Sequence, residues 1–283
     1  MLRDFPLPGR TAGQVDADGR PVHAAAPVRD AATVMLVRDR HDAPLGSEPG
    51  GVEVFAFRRV AGMAFAAGML VFPGGSVDPG DAEPGTPWVP PPPPPQDAPP
   101  LVAAARETFE ECGVLLARSA VGRAPDADEL AAPGWEERRL ALASGATTLA
   151  RALLATGLSL SAADLHPWAR WVTPTFERRR FDTRFYVAAL PAGQEARDLG
   201  GEGEQATWLD PGAAVAAHAA GRLPMLPPTL VCLEELAAAR DVAGLLATFR
   251  LPAPISPWVT RDGSGRLVLR IDLDGRGGGE AAP

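Results

Sequence analysis

Three glutamates lie close together in the stretch RETFEECGV, which covers residues 106–114. On a helix that turns about 100° per residue, Glu107, Glu110 and Glu111 share one side. Like charges three and four residues apart destabilise a helix by about 0.2–0.5 kcal/mol per pair, so this spacing favours a positively charged ligand. Mg²⁺ or Mn²⁺ would supply that charge, because hard divalent cations take oxygen ligands. The alternative interpretation is a solvated acidic face.

The other side of the same predicted helix is apolar. Its members fall within an arc of roughly 80°, and they are Val102, Ala105, Phe109 and Cys112. Helical periodicity begins at Leu101, and Gly113 stands where a left-handed glycine ends many helices. The pattern therefore predicts a helix that buries one face and presents its carboxylates on the opposite face.

A glycine pair precedes this helix. Gly74 and Gly75 end the run GMLVFPGG, which predicts a short strand stopped by Pro73 and the glycines. Because glycine has no Cβ, main-chain groups at such a site can approach a ligand closely. The alternative is that the pair only permits a turn.

A basic cluster in the stretch ERRRFDTR contains Arg178, Arg179, Arg180 and Arg184. Arginine suits bidentate recognition of phosphate, so these side chains could bind a phosphate of a ligand. The alternative is that they face solvent or pair with some of the many acids.

The composition excludes several classes of function. The chain has 283 residues, 46% of them hydrophobic, and a formal net charge of −8, which disfavours general attraction to nucleic acid or to an anionic membrane. Its two cysteines, Cys112 and Cys232, are too few for a disulfide framework and favour a reducing cytoplasm. No signal peptide and no apolar run of about 18 residues is visible.

Strands and helices mix without a repeating βα order, which predicts an α/β (α+β) fold with a sheet covered by helices. We expect a loosely held arm or early hairpin over 1–28, a single domain over 29–275 and a flexible tail over 276–283. Two insertions are expected within the domain, a proline-rich one over 83–100 and a helical one over 120–165. The predicted strands include 33–39, 52–60, 168–174, 180–190 and 265–273, and helices dominate 226–249.

Together, these residues resemble the Nudix box, the signature of the Nudix hydrolase family. The second half of the box matches from Arg106 to Val114, with Thr108 at an apolar position. The first half runs from Gly75 to Asp81, where the family has glutamate. The 24 residues from 82 to 105 replace seven, and a box interrupted at this point resembles the branch that contains the peroxisomal coenzyme A diphosphatase of mammals.

The resemblance implies a Nudix α/β/α sandwich, in which a mixed sheet lies between helices. It also implies a diphosphatase that uses Mg²⁺ or Mn²⁺ and an attacking water. By carry-over, Glu107, Glu110 and Glu111 are metal ligands, with Glu107 or Glu110 as the base, and Arg106 holds a ligand carboxylate at the catalytic centre.

The resemblance assigns further residues around this centre. Gly75 would give a carbonyl to the metal and Gly74 would lie at the substrate, while Asp81 and Gly113 have structural roles in the box. An additional acid from outside the box often completes the metal site, and Glu202 and Glu204 are the candidates.

The implied substrate is a small nucleoside diphosphate derivative, with coenzyme A or an acyl-coenzyme A first and Arg179, Arg180 and Arg184 as its binding residues. Ala64 stands where bacterial coenzyme A diphosphatases have an arginine, so ADP-ribose, NADH and nucleotide sugars stay open. Outside the class of enzymes, the chain could be a silent nucleotide-binding module or a scaffold that recruits a partner through the proline run. Many relatives dimerise, so a homodimer is also left open.

Overall fold

The computed structural model describes residues 1–7, 11, 13–40, 50–59, 68–199 and 203–274, without the side chains of 59 and 203–205. Thirteen strands and seven α-helices lie inside these ranges. The strands are β1 (Leu2–Pro6), β2 (Val28–Asp39), β3 (Val52–Arg59), β4 (Leu70–Val71), β5 (Gly74–Ser76), β6 (Ala117–Arg118), β7 (Ser159–Leu160), β8 (His166–Val172), β9 (Arg180–Ala189), β10 (Gly203–Leu209), β11 (Pro254–Ile255), β12 (Trp258–Arg261) and β13 (Leu267–Asp272). The helices are α1 (Ala98–Cys112), α2 (Ala127–Leu130), α3 (Pro133–Ala143), α4 (Leu149–Thr156), α5 (Pro211–Ala219), α6 (Pro227–Leu236) and α7 (Val242–Leu246).

The main sheet has eight strands and is mixed. Its order is β10-β3-β2-β9-β8-β11, with β4 paired to β3 and β5 paired to β2. The long strand β2 runs parallel to β9 and antiparallel to β3 and β5. The N-terminal part of β2 therefore lies between β5 and β9.

Alternate residues of β2 belong to two separate cores, as the two-residue period of a strand requires. Ala32, Val34 and Leu36 pack with the apolar stripe of α1 in one core. Met35 and Val37 pack with α6 in the other. The sheet consequently lies between helices, and the fold is the predicted mixed α/β/α sandwich.

The first residues of the chain differ from the predicted arm. β1 pairs antiparallel with β13, with Phe5 opposite Leu269, and β12 completes a three-stranded sheet. Phe5 and Leu269 are buried in the core on the α6 side. Periodicity over five residues is too short to reveal this strand, whose partner lies more than 260 residues away. The tail predicted for 276–283 lies outside the described residues.

Two boundaries near the box also differ from prediction. The helix begins at Ala98 rather than Leu101, because Pro99 and Pro100 occupy its first turn, where proline costs no hydrogen bond. The glycine pair forms β5 and pairs with β2 instead of only stopping a strand.

The predicted helical insertion contains α2, α3 and α4, with β7 after them. In the part of the chain that the structure describes, no helix has the length and apolar character needed to span a bilayer.

Candidate active site

Helix α1 carries the acidic cluster and is anchored along its length. Its buried residues include the predicted apolar stripe together with Arg106 and Thr108, and the Thr108 hydroxyl donates to the Ala104 carbonyl at 2.7 Å. Gly113 ends the helix with φ of 71°, a left-handed conformation that glycine adopts without strain. The buried face of α1 and the left-handed glycine at its C-terminal end therefore fix the backbone that bears the glutamates.

The last four carbonyls of α1, from residues 109 to 112, have no partner inside the helix and each finds one outside it. In chain order, the donors are the Gly113 N–H at 2.9 Å, the Arg139 guanidinium at 2.8 Å, the Leu199 N–H at 2.9 Å and the Arg197 N–H at 3.0 Å. Arg139 comes from α3 in the helical insertion. The insertion thus holds the end of α1 that carries the glutamates.

Arg106 lies at the centre of the acidic cluster. Its guanidinium is bidentate with Asp81, at 2.9 and 3.0 Å, and donates to the Ser76 carbonyl at 2.9 Å. Its Nη1 atom also donates to Glu107 at 2.9 Å and to Glu110 at 3.3 Å. One guanidinium donates to three carboxylates, and a fourth, that of Asp78, lies 3.8 Å from it, so acids outnumber the positive charge in the cluster.

The glutamates are covered rather than solvated. The side chains of Glu107 and Glu110 are only 15% and 12% exposed. Burial raises the pKa of Glu107 to about 7 and also raises the pKa of Glu110, against the opposing effect of Arg106. Burial disfavours the charged form of both carboxylates, and an added positive charge nearby would favour it.

Strand β5 packs directly against these acids. A Cβ placed on Gly75 would lie 2.3 Å from Glu107 Oε1, so only glycine leaves room for this carboxylate. The Gly74 N–H donates to Glu111 Oε2 at 2.9 Å. Gly74 has φ of 153°, and a Cβ there would lie 2.3 Å from the Ala32 carbonyl oxygen. Both glycines are required for the close approach of strand and helix.

The donors match a hard divalent cation in type, since they are carboxylate oxygens beside an exposed main chain. Among the described residues, however, no group of three His, Cys, Asp or Glu side chains is arranged around a common metal position. Glu107 and Glu110 instead converge on Arg106, and Glu111 accepts from β5. Glu202 lies outside the described residues, and so does the side chain of Glu204.

The three arginines expected at the substrate have different surroundings. Arg180 donates to the carbonyls of Thr173 and Ala26 at 3.1 Å, and Arg184 pairs with Asp30 at 3.0 Å. These contacts hold strands and loops together. Arg179 is exposed at the edge of a cavity.

This cavity has a volume of about 380 Å³ and lies on the α6 side of the sheet. Its lining includes β5, the first turn of α6 and the loop between β8 and β9. The aromatic residues that line it are Phe72, Trp171, Phe176, Phe181 and Phe185. A pocket of this size and character is typical of a small-molecule site, and β5 connects it to the acidic cluster.

Two residues of this region were missed by sequence reasoning. Arg139 is one of several charges on α3, and nothing in its spacing points to α1, 29 residues away. Trp171 belongs to the core on the α6 side and also lines the cavity. The tryptophan could have been noticed because it stands just before the arginine cluster.

Comparisons with known proteins agree with this geometry. A family model described as the NUDT19 Nudix domain matches residues 92–236. The crystal structure of a NUDIX hydrolase from Alicyclobacillus acidocaldarius is 31% identical and covers 79% of this chain and 97% of that chain, with a TM-score of 0.68.

Among curated proteins, the putative nudix hydrolase 7 of Caenorhabditis elegans is 29% identical over 192 residues, which make up 66% of this chain. The match spans 57% of the length of that relative. With the interrupted box, the sandwich fold and these matches in agreement, the chain belongs to the Nudix hydrolase family.

Proposed function

We propose that this protein is a metal-dependent diphosphatase that hydrolyses a nucleoside diphosphate derivative, with coenzyme A or an acyl-coenzyme A as the first candidate. The observation that supports this proposal is the covered pair Glu107 and Glu110, which share one guanidinium with Asp81, beside Glu111 at β5. A cluster of this kind is costly to bury unless a cation completes it.

In this proposal, Mg²⁺ or Mn²⁺ is held by the three glutamates and the Gly75 carbonyl, and Glu204 is a candidate for a further ligand. When bound, such a metal neutralises phosphate oxygens and lowers the pKa of a coordinated water. Glu107 or Glu110 accepts the proton of the attacking water. Both carboxylates already approach the same nitrogen of Arg106, so they face a common point.

Arg106 and Asp81 orient the acids in this mechanism. The bidentate pair with Asp81 and the bond to the Ser76 carbonyl fix the guanidinium, and its remaining nitrogen positions Glu107 and Glu110. Phosphoryl transfer depends mainly on positioning and charge stabilisation. A fixed guanidinium that sets two carboxylates is suited to that task.

The nucleotide end of the substrate would lie in the cavity beside β5, which places its diphosphate next to the glutamates. ADP-ribose, NADH and nucleotide sugars contain the same linkage and are the alternatives. A silent nucleotide-binding module is disfavoured, because retaining a charge-deficient acidic cluster serves no purpose without a cation.

The test is an activity panel with the full chain. Coenzyme A, octanoyl-coenzyme A, ADP-ribose, NADH and a dinucleoside polyphosphate are each incubated with Mg²⁺ and with Mn²⁺, and phosphomonoester products are separated by chromatography. We expect metal-dependent cleavage of at least one diphosphate, with chelation by EDTA abolishing it. If every compound is left intact with both metals, the diphosphatase assignment fails.

A further inference from the structure

The helical insertion contacts the chain on both sides of the proline-rich interruption of the box. Before the interruption, it contacts Glu83, which follows the 3₁₀ turn Pro79–Ala82 that carries Asp81. After the interruption, it reaches the end of α1 through Arg139. The segment 82–105 has 24 residues where the family pattern has seven, and a longer connection restrains its two ends less. Contacts made by other segments therefore carry more of the restraint that keeps the two halves of the box together.

Glu83 is held by residues at the start of α4. Its carboxylate accepts from the Thr148 hydroxyl at 2.6 Å and from the Arg151 guanidinium at 2.7 and 3.1 Å. Thr148 is also the N-cap of α4, where its hydroxyl oxygen accepts from the Arg151 N–H. Thr148 is half-buried, whereas Arg151 is exposed. Because water screens an exposed ion pair, the hydroxyl makes the better shielded of the two contacts.

The turn before Glu83 also packs closely against α4. A Cβ placed on Gly80 would lie 2.9 Å from Thr148 Cγ2, so the missing side chain lets the turn and the helix meet. The next residue, Asp81, is 3% exposed and forms the bidentate pair with Arg106. A shift of the turn away from α4 would therefore move the Asp81 carboxylate and, with it, the guanidinium that contacts the glutamates.

Strand β7 joins the proline-rich segment to the same insertion. The Val89 N–H donates to the Leu160 carbonyl at 2.7 Å, and the Leu160 N–H donates to the Pro87 carbonyl at 2.9 Å. Leu160 also pairs with Ala117 of β6, shortly after the end of α1. β7 consequently lies between the segment that leaves the first half of the box and the segment that leaves the second half.

We propose that the helical insertion positions the acidic cluster for catalysis, with Thr148 as its positioning residue. Through Glu83, Thr148 fixes the turn that carries Asp81, and Asp81 in turn fixes Arg106. The inference rests on the proposed function for its effect on turnover. It goes further because it assigns an effect on the reaction to a segment that the family pattern does not include.

Removal of one hydroxyl tests this with little change of shape. Thr148→Val removes the donor to Glu83 and keeps a branched side chain, whereas Thr148→Ser keeps the hydroxyl. The matched control is Thr156→Val at the other end of α4. Within the described chain, the Thr156 hydroxyl donates only to carbonyls of its own helix. Steady-state kinetics at saturating metal gives kcat and KM for the best substrate of the panel, and thermal unfolding gives the stability.

We expect Thr148→Val to lower kcat about 10-fold, because a catalytic group moved by roughly 1 Å can cost about 100-fold and this shift is smaller. KM should stay within a factor of about two, since the turn does not line the cavity. Thr148→Ser should keep most of kcat, and Thr156→Val should keep the parental kcat with a similar loss of stability. Parental kcat in Thr148→Val, or an equal fall in Thr156→Val, would overturn the proposal.

A double-mutant cycle tests whether Thr148 acts through Glu83. Glu83→Ala removes the acceptor, so adding Thr148→Val to this background should change kcat by less than a factor of about two, because two residues that share one contact give non-additive effects. A fall in the double variant that equals the product of the two single effects would overturn the link through Glu83.

Hydrogen–deuterium exchange separates this inference from the proposed function, because it needs no turnover. The Asp81 N–H donates to the Asp78 carbonyl within the turn. Exchange in a peptide covering 78–83 should be about 10-fold faster in Thr148→Val than in Thr156→Val, as expected for a locally weakened segment. If the parent cleaves no diphosphate, the diphosphatase assignment fails, while faster exchange still supports the contact with the insertion and equal exchange overturns it. If the parent is active and Thr148→Val keeps its kcat, the diphosphatase stands and the positioning role fails.

Discussion

Helices α1 and α6 are built from similar sequence and lie on opposite faces of the same sheet. Each has a proline pair in its first turn, an apolar stripe in a core and two consecutive glutamates near its end, Glu110 and Glu111 in α1 and Glu234 and Glu235 in α6. By sequence pattern alone, both could be acidic metal-binding helices.

Their glutamates have different surroundings. Glu234 forms a bidentate pair with Arg3, and Glu235 accepts from Trp168 at 2.6 Å and from Arg250 at 2.9 Å. The side chains of Glu234 and Glu235 are each about one third exposed, and each pairs with an arginine of its own.

The α1 acids are more deeply covered, and three carboxylates share Arg106. An acidic pair on a helix becomes a candidate site through what packs over it, and not through its spacing.

The most direct test of the difference between the two helices is to neutralise one acid on each of them. Glu110→Gln should lower metal-dependent turnover roughly 100-fold or more, the scale on which catalytic carboxylates act, while the fold persists. The matched change Glu234→Gln should leave kcat within a factor of about two and cost about 0.2–1 kcal/mol of stability, since it weakens only a partly exposed ion pair. Steady-state kinetics on the best substrate measures both, and equal effects on turnover would refute the distinction.

A second substitution tests the close approach of β5 to the glutamates of α1. Gly75→Ala places a methyl group within 2.3 Å of Glu107 Oε1 and should displace this carboxylate. Because the atom met is the end of a flexible side chain, stability should change little. Turnover should fall about 10- to 100-fold, as expected for a catalytic group moved by roughly 1 Å.

Gly263→Ala serves as the control for this change, because a Cβ there meets no atom within 4 Å. Thermal unfolding and kinetics of the two variants give the comparison. A Gly75→Ala protein with parental turnover would show that Glu107 does not need its position against β5.

The smallest expected effect concerns the helix ends. α6 ends with the Ala237 N–H donating to its own preceding turn, whereas the Glu110 carbonyl of α1 depends on Arg139. Arg139→Met should lower the free energy of unfolding by about 1–3 kcal/mol, because a partly buried carbonyl loses its charged donor. Arg138→Met, which removes a half-buried arginine stacked on Trp135, should cost less. Urea denaturation measures the stability loss of both variants. A larger loss in Arg138→Met would contradict the role of Arg139 in capping α1.

Much of this architecture follows from patterns within short windows. The apolar stripe of α1, the end of α1 at Gly113 and the strands β3 and β9 are visible because their periods lie within about ten residues. The acidic side of α1 is also predicted, but only as the face opposite the apolar stripe. Periodicity identifies which side of a helix lacks apolar residues, and it contains no information about what covers that side.

The parts that sequence could not reveal are contacts between distant segments. The pairing of Arg106 with Asp81 crosses the proline-rich insertion, and Arg139 reaches α1 from a helix that the family pattern does not include. Sequence proximity groups Arg180 and Arg184 with Arg179. In the structure, Arg180 and Arg184 contact Thr173 and Asp30, whereas Arg179 lines the cavity.

Strand β5 touches the acids only with its backbone, since two of its three residues have no side chain and Ser76 offers its carbonyl to Arg106. The side chains that shape the cavity come from other segments, chiefly β8, β9 and the start of α6. In the proposed function, chemistry and ligand choice are thus assigned to separable parts of the sequence. On that assignment, single changes of cavity residues would alter the preferred substrate without disturbing the proposed hydrolytic centre.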